Sequence, residues 1–387
     1  MFLWLLFFVL QIIIDAGSAY SAYDRTEGQK CVSHNGNGTC VHVYRCLSTV
    51  LDLKKKVHPK ICSFRSKEPI VCCTDCELVK DTRNVLIDNE GGVFFKSGQK
   101  ARDKCIEHLT RLPYFCQTQG LERFWSDQKM CHVYERTSTA VVFNGEDAEA
   151  SRFPHMALLG YGPSKSLQWL CGGSLISDRF ILTAAHCRSA PSLGTVGYVA
   201  MGILKRSDPP ELWHVYKVSK TYSYPEYNPP SKYHDIMLLK TDKKIVFSKD
   251  VFPACLNFQQ DTTDSAIATG WGKLGKDQPL ADNLQEVLLE EFSEHECRTY
   301  FPPHRLLKQG YDHNMQMCYG DPESPKDTCE GDSGGPLQIT SVLSKCLHTV
   351  VGVTSYGRAC GDAGDAGMYT RVRYYLSWIE GIVWPDK

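Results

Sequence analysis

Residues Gly331-Asp332-Ser333-Gly334-Gly335-Pro336 carry the clearest chemistry in the chain. A serine hydroxyl is a poor nucleophile in water. It becomes a useful one where a base takes its proton and N–H groups hold the oxyanion that its attack creates. Glycines on both sides of Ser333 let a substrate carbonyl approach the backbone, and they free the N–H groups of Gly331 and Ser333 to point at one spot. A base and an acid are available elsewhere. Leu182-Thr183-Ala184-Ala185-His186-Cys187 offers a histidine, and His234-Asp235-Ile236-Met237-Leu238-Leu239 offers a carboxylate. Nucleophile, base and orienting acid together are the requirements of acyl transfer through a covalent intermediate.

Each of these groups needs an element to hold it. His186 follows the strand-like run Phe180-Ile181-Leu182, and Asp235 opens another apolar run. The region is built of many short Val/Ile/Leu/Tyr-rich runs broken by Gly, Pro, Asn and Asp, which predicts an all-β fold. One helix closes the chain, Tyr374 to Val383, with Leu376, Ile379 and Val383 spaced to face one side. Ala101 to Leu109 has the pattern of two helical turns, and Asn89 to Gln99 reads as a Gly-containing loop.

The order along the chain, His186, Asp235, Ser333, differs from the orders of α/β-hydrolases and subtilisin-like enzymes. It is the order of the chymotrypsin–trypsin family, which the sequence resembles over residues 142–387. The resemblance extends to Trp169-Leu170-Cys171-Gly172-Gly173-Ser174-Leu175-Ile176, Gly270-Trp271-Gly272, Gly352-Val353-Thr354-Ser355-Tyr356-Gly357 and Gly367-Met368-Tyr369-Thr370-Arg371-Val372. It implies two six-stranded antiparallel β-barrels with the active site between them. It also implies Ser333 as nucleophile, His186 as base, Asp235 as orienting acid, and the N–H groups of Gly331 and Ser333 as oxyanion hole. Disulfides Cys171–Cys187, Cys297–Cys318 and Cys329–Cys360 are implied likewise. In the substrate pocket, Asp327 falls at the floor, Gly357 and Gly367 at the walls, and Ser355 beside them. A carboxylate without a built-in partner favours a cationic side chain, so cleavage after Arg or Lys is expected. Glu330 is expected on the rim, disfavouring acidic substrate residues.

The family is activated by a cut that frees an apolar N-terminus, whose amine then pairs with the acid before the serine, here Asp332. Alignment places that terminus at Val142, after Val141. A trypsin-like activator does not cut after valine. The nearest upstream basic residue, Arg136, would leave a terminus starting at Thr137, five residues too long. An elastase-like or microbial protease cutting near Ala140–Val142 is expected instead.

The chain has 387 residues, room for two or more domains. Lys+Arg number 43 and Asp+Glu 44, so no net field points to nucleic acid or an anionic membrane. Residues 2–14 are apolar apart from Gln11, and Ala16, Gly17, Ser18 and Ala19 follow. That pattern predicts a signal peptide, residues 1–19, cleaved after Ala19 or Ala22, although no Lys or Arg precedes the apolar run. A run of about 13 residues is too short to cross ~30 Å of hydrocarbon, so secretion is expected and no membrane span. Eighteen cysteines, an even count, then imply disulfides. Cys72-Cys73-Thr74-Asp75-Cys76 raises zinc as the alternative, which secretion disfavours; no metal or cofactor is expected.

Cys31, Cys40, Cys46, Cys62, Cys72 and Cys73 fall within 43 residues. So small a segment needs staples to fold, and six cysteines allow 15 pairings. The spacing resembles the clip domain of arthropod serine proteases, placed here at residues 31–73, and implies the pairs Cys31–Cys72, Cys40–Cys62 and Cys46–Cys73. Asn37-Gly38-Thr39 is a glycosylation sequon on an expected exposed loop. Residues 74–141 read as a linker. Within it, by resemblance, Cys105 bonds Cys255 of the catalytic domain, with Cys131 the alternative partner, and holds the two chains together after cleavage. Cys346 is expected in a hairpin loop between Leu337 and Val350, and no partner is assigned to it or to Cys76, Cys116 and Cys131. The closing segment Trp378 to Trp384 looks most like the group containing Snake, Spirit and Persephone. The resemblance implies a secreted zymogen in an extracellular proteolytic cascade, in insect immune signalling (Toll activation, melanisation) or embryonic patterning. Its partners would be an activating protease, a downstream zymogen as substrate, and a serpin inhibitor. The alternatives are a non-catalytic regulatory homologue, against which the intact His186, Asp235 and Ser333 argue, and a digestive trypsin, which has no evident use for a stapled N-terminal module.

Overall fold

The cysteine-dense stretch forms a four-stranded antiparallel sheet in the order β1-β2-β4-β3, with β1 Lys30–Ser33, β2 Gly36–His42, β3 Ile61–Arg65 and β4 Glu68–Cys73. Disulfides join Cys31 to Cys72, Cys40 to Cys62 and Cys46 to Cys73. The core is little more than these six cysteines with Val41, Val43, Ile70 and Val71. So small an apolar core does not offset the chain entropy lost on ordering, and cross-links worth roughly 2–4 kcal/mol each make up the difference. The sulfurs of Cys72 and Cys73 are in disulfides and are not zinc thiolates. Asn37 is exposed, but it lies in β2 beside the first hairpin rather than in a loop, paired with Val32.

This computed structural model divides into two units, Met1–Gly91 with Thr110–Met130, and Gly92–Leu109 with Cys131–Lys387. It describes residues 25, 29–33, 36–43, 46, 49, 57–65, 68–74, 77–78, 98–111 and 116–117. It also describes 146–386 except 249, 259–263, 276–277, 322–330, 342–343 and 358–365. The expected signal peptide, the Val141–Val142 junction, Arg136, Thr137, Asp327, Glu330, Cys76, Cys131 and the Cys329–Cys360 pair lie outside the described residues. Among the described residues no helix is long and apolar enough to cross a membrane. In the first unit β5 (Glu77–Leu78) also pairs with β6 (Cys116–Gln117).

The second unit is two closed six-stranded antiparallel barrels. The first runs β10-β15-β14-β13-β8-β9, from β8 Met156–Tyr161, β9 Gln168–Leu175, β10 Phe180–Thr183, β13 Tyr198–Met201, β14 His214–Ser223 and β15 Met237–Thr241. Between β10 and β13 lies a small hairpin, β11 Ser189–Ala190 and β12 Gly194–Thr195. Leu159, Leu175, Ile181, Leu182, Val199 and Met237 fill the first barrel, all fully buried. The second barrel closes β21-β20-β17-β18-β19-β22 through a β21–β22 pairing. Its strands are β17 Ser265–Gly270, β18 Gln285–Glu291, β19 Gln316–Gly320, β20 Pro336–Ser341, β21 Ser344–Gly357 and β22 Ala366–Arg371. Two short strands attach to it, β7 Glu146–Asp147 to β18 and β16 Cys255–Leu256, parallel, to β21. Strand β21 starts at Ser344, so Cys346 sits in a strand and not in the hairpin loop; the alternating run toward Thr349 and Val350 keeps pairing with β20 up to the turn.

A polar seam joins the barrels. Buried His155, just before β8, meets the side chain of Gln338 in β20, whose amide donates to Thr269 Oγ1 of β17 at 3.1 Å. His348 of β21 lies beside it, ring centroids 5.4 Å apart. Loss of hydration, with the neighbouring His348, pushes the His155 imidazole down to about 3. Loss of hydration likewise takes His348 down to about 4.

Three α-helices are described: α1 Gln99–Arg111, α2 Glu294–Tyr300 and α3 Leu376–Val383. Ser293 and Glu296 form a capping box on α2, which starts where that signal sits in sequence. Leu376, Ile379 and Val383 of α3 are buried, as their spacing predicts. So is Glu380, and its carboxylate accepts from the N–H groups of Gly98 (3.0 Å) and Ala101 (2.7 Å). Those amides have no intrahelical acceptor, and a carboxylate there also meets the positive end of the helix dipole. The Cys105–Cys255 disulfide ties the middle of α1 to β16.

Candidate active site

Strand pairing brings His186 and Asp235 together. Thr183 at the end of β10 lies opposite Met237 at the start of β15. A 3₁₀ turn, Ala185–Arg188, continues from β10 and carries His186; Asp235 lies two residues before β15. His186 Nδ1 is 2.7 Å from Asp235 Oδ2, and the His186 backbone N–H donates to Oδ1 at 2.8 Å. One carboxylate thus fixes both the ring and the backbone of the histidine.

The second barrel completes the seat of Asp235. Ser355 in β21 donates its hydroxyl to Asp235 Oδ2 at 2.5 Å, and Thr370 in β22 donates to the Asp235 carbonyl at 2.9 Å. Asp235 is 2% exposed. Burial alone would raise its carboxyl, but the adjacent His186 and the hydrogen bonds from His186 and Ser355 outweigh that and hold it below the usual carboxylate range. Its neighbour His234 takes φ +58°, rare for a residue with a side chain. The His234 ring is locked by stacking on Tyr224 at 5.2 Å and by a 3.1 Å contact with Tyr375 Oη.

Ser333 sits in a tight turn just before β20. Gly335 N–H closes the turn on the Asp332 carbonyl at 2.8 Å, Gly334 N–H donates to Thr354 O at 2.8 Å, and Gly172 N–H of β9 donates to the Ser333 carbonyl at 2.8 Å. Cys187 Sγ, bonded to Cys171, lies 3.7 Å from His186 Nε2 and 3.6 Å from the Ser333 carbonyl. Both barrels therefore bring their residues to one place. Gly331 takes φ +105°, and a Cβ there would lie 2.9 Å from Gly272 Cα. Gly334 takes φ +79°, and its Cβ would lie 2.2 Å from Thr183 Oγ1. No other residue type fits either position.

Asp332 points away from Ser333, into the Gly270-Trp271-Gly272 loop, where Oδ1 accepts from Gly272 N–H at 2.8 Å. A Cβ at Gly270 would fall 2.0 Å from Asp332 Oδ1 and one at Gly272 2.3 Å from Oδ2, so both glycines make room for that carboxylate. Gly357 and Gly367 are direct partners across β21 and β22, so neither strand carries a side chain at that position. Ser355, expected among the pocket residues, spends its hydroxyl on Asp235. That contact had no signal in the sequence, because it depends on a barrel-to-barrel approach between residues 120 apart.

The profile of the trypsin family matches residues 142–379, more than half of the chain. The chain belongs to the trypsin family. Serine protease snk of Drosophila melanogaster is 29% identical over 359 residues, 90% of this chain and 77% of that protein. Serine protease Hayan of the same organism is 33% identical over 257 residues, 64% of this chain and 40% of that protein. The chymase of Papio hamadryas is 35% identical over 256 residues, 64% of this chain and 93% of that protein. The six stapled cysteines fit a clip-type domain ahead of the trypsin-family domain.

Proposed function

We propose that the chain is the secreted zymogen of a serine endopeptidase that cuts proteins after Arg or Lys in an extracellular cascade. The observation that carries this reading is the His186 imidazole, held by Asp235 at 2.7 Å and backed by Ser355, next to the Ser333 turn. Ser333 Oγ attacks the scissile carbonyl carbon while His186 Nε2 takes its proton. The oxyanion is held by the N–H groups of Gly331 and Ser333, each such donor being worth roughly 3–4 kcal/mol at the transition state. The C–N bond then breaks as His186 returns the proton to the leaving amine. Water, with its proton taken by the same imidazole, releases the acyl group. Asp235 keeps the ring in the working tautomer throughout.

Substrate choice rests on Asp327. The paired glycines Gly357 and Gly367 put no side chain in the way of a long substrate residue, and a carboxylate at the floor selects a cationic one. Activation is a cut at Val141–Val142 by an elastase-like or microbial protease, after which the Val142 amine pairs with Asp332. The downstream substrate is another zymogen, and a serpin is the expected inhibitor; the similarity to serine protease snk over 90% of this chain supports the protease reading.

The test is a serine-reactive phosphonate probe on the processed chain, with Ser333→Ala as control. Labelling of the wild type alone is expected, together with at least 100-fold faster hydrolysis of Arg than Phe peptide substrates. An unlabelled wild type sinks the catalytic reading, and preference for Phe sinks the assignment of Asp327. N-terminal sequencing of the active form should give Val142; a Thr137 start with full activity rejects the activation scheme.

A further inference from the structure

We propose that the outer face of the first barrel carries a binding surface for a sulfated polysaccharide. Among the described residues, Lys217, Lys220, Lys240, Lys243 and Lys244 gather there with Arg179, Asp178 and Asp242. The chain as a whole is nearly neutral, with 43 basic and 44 acidic residues, so this is a local concentration of charge. The residues are neighbours through the backbone. Lys220 of β14 lies directly opposite Lys240 of β15. The Asp242 N–H donates to the Lys217 carbonyl at 2.9 Å, and the Thr241 hydroxyl donates to the Lys243 carbonyl at 2.7 Å. Arg179 donates to the Asp242 carbonyl at 3.4 Å.

Two observations separate this patch from an ordinary solvated face. Like charges directly opposite across a strand pair oppose folding, yet Lys220 and Lys240 occupy such a pair. And their ammonium groups are positioned by rings rather than by carboxylates: Lys220 Nζ lies 4.6 Å over Tyr222, and Lys240 Nζ 5.7 Å over Phe180, which is its own cross-strand partner. The two rings are 6.2 Å apart. Each ammonium thus sits over an aromatic face rather than beside a carboxylate, among the described residues. Of the five lysines only Lys244 has a carboxylate partner among the described residues, Asp178 at 3.0 Å.

The form of the patch selects the partner. β14 and β15 lie inside a closed barrel, so no unpaired strand edge is available for an extended peptide to join. Lysines are flexible point charges without the fork geometry that reads single carboxylates in pairs, and the one arginine is turned to a backbone carbonyl. A chain of closely repeated sulfate groups, needing charge density and no side-chain pocket, fits such a surface.

The experiment measures binding of full-length protein to heparin at about 0.15 M NaCl and across a salt series. Lys220→Glu with Lys240→Glu should weaken binding at least tenfold. It should also lower the slope of log Kd against log salt by about two, one released ion per lost contact. Lys217→Glu with Lys243→Glu, at the rim, should act in the same direction. Lys165→Glu with Lys308→Glu, an equal change of net charge elsewhere, should stay within twofold. Equal weakening by the control, or no binding by the wild type, overturns the proposal. So does a polyglutamate of equal charge competing as well as heparin, which would make the partner an acidic protein segment.

Discussion

Asp235 takes more hydrogen bonds than an orienting carboxylate needs for the histidine ring alone. The His186 ring and backbone, and the Ser355 hydroxyl, all converge on its two oxygens. A carboxylate so satisfied stays ionised although it is 2% exposed. Asp235→Asn keeps the size but removes the charge and favours the wrong tautomer of His186; kcat/KM should fall by roughly 10³–10⁴ with KM little changed. Ser355→Ala removes one bond to a charged acceptor, worth roughly 1.5–3 kcal/mol, and should lower kcat/KM by about 10-fold. Steady-state kinetics on Arg peptides check both. A Ser355→Ala enzyme indistinguishable from wild type would mean that the contact is incidental.

At the scale of elements, α1 and α3 form a bond-sharing pair. Glu380→Gln keeps the shape and one acceptor oxygen, but leaves a helix N-terminus facing an amide nitrogen. The trypsin-family unit should lose roughly 1–3 kcal/mol, read as a lower midpoint in urea with unchanged slope. Unchanged stability would show that the disulfide alone seats the helix. Much of this layer was legible in the sequence. Periodicity marked α3 through Leu376, Ile379 and Val383, and placed helical turns within α1, because a helix packed on a core repeats its apolar side chains. Glu380 was not legible. A buried acid on an apolar face is meaningful only once its partner, some 280 residues earlier, is in place. The same holds for Ser355. His186, Asp235 and Ser333 stood out as candidates because each sits in a distinctive local segment. Their chain order narrowed the fold, and the barrel closure that joins them, Gly357 against Gly367 included, emerged only from the pairing of strands. The turn position assumed for Cys346 failed because strand length depends on cross-strand partners that one strand's residues do not reveal.

Across the whole molecule, the two barrels meet at a seam that contains two histidines with depressed imidazole pKa values. Folded values near 3 for His155 and 4 for His348 lie below the ordinary 6.5 of an unfolded chain. The unfolded state therefore binds more protons between those limits. Stability from this source is complete above about pH 6.5 and is lost as pH falls toward 4 and then 3. Each histidine should cost up to about 2 kcal/mol between pH 6.5 and pH 5. Urea midpoints measured at several pH values should fall over that range, and His155→Gln should flatten the dependence. A midpoint constant from pH 7 to pH 5 in the wild type would show that the seam admits water or protons without opening.

The clasp on residues 99–111 has a practical consequence for following the proposed cleavage. A cut at the proposed Val141–Val142 bond would leave that segment attached twice, by a covalent link and by Glu380. An antibody raised against it would capture cut and uncut forms alike, and gels run without thiol would give both the same apparent mass. Only a reduced sample would reveal what fraction had been cut.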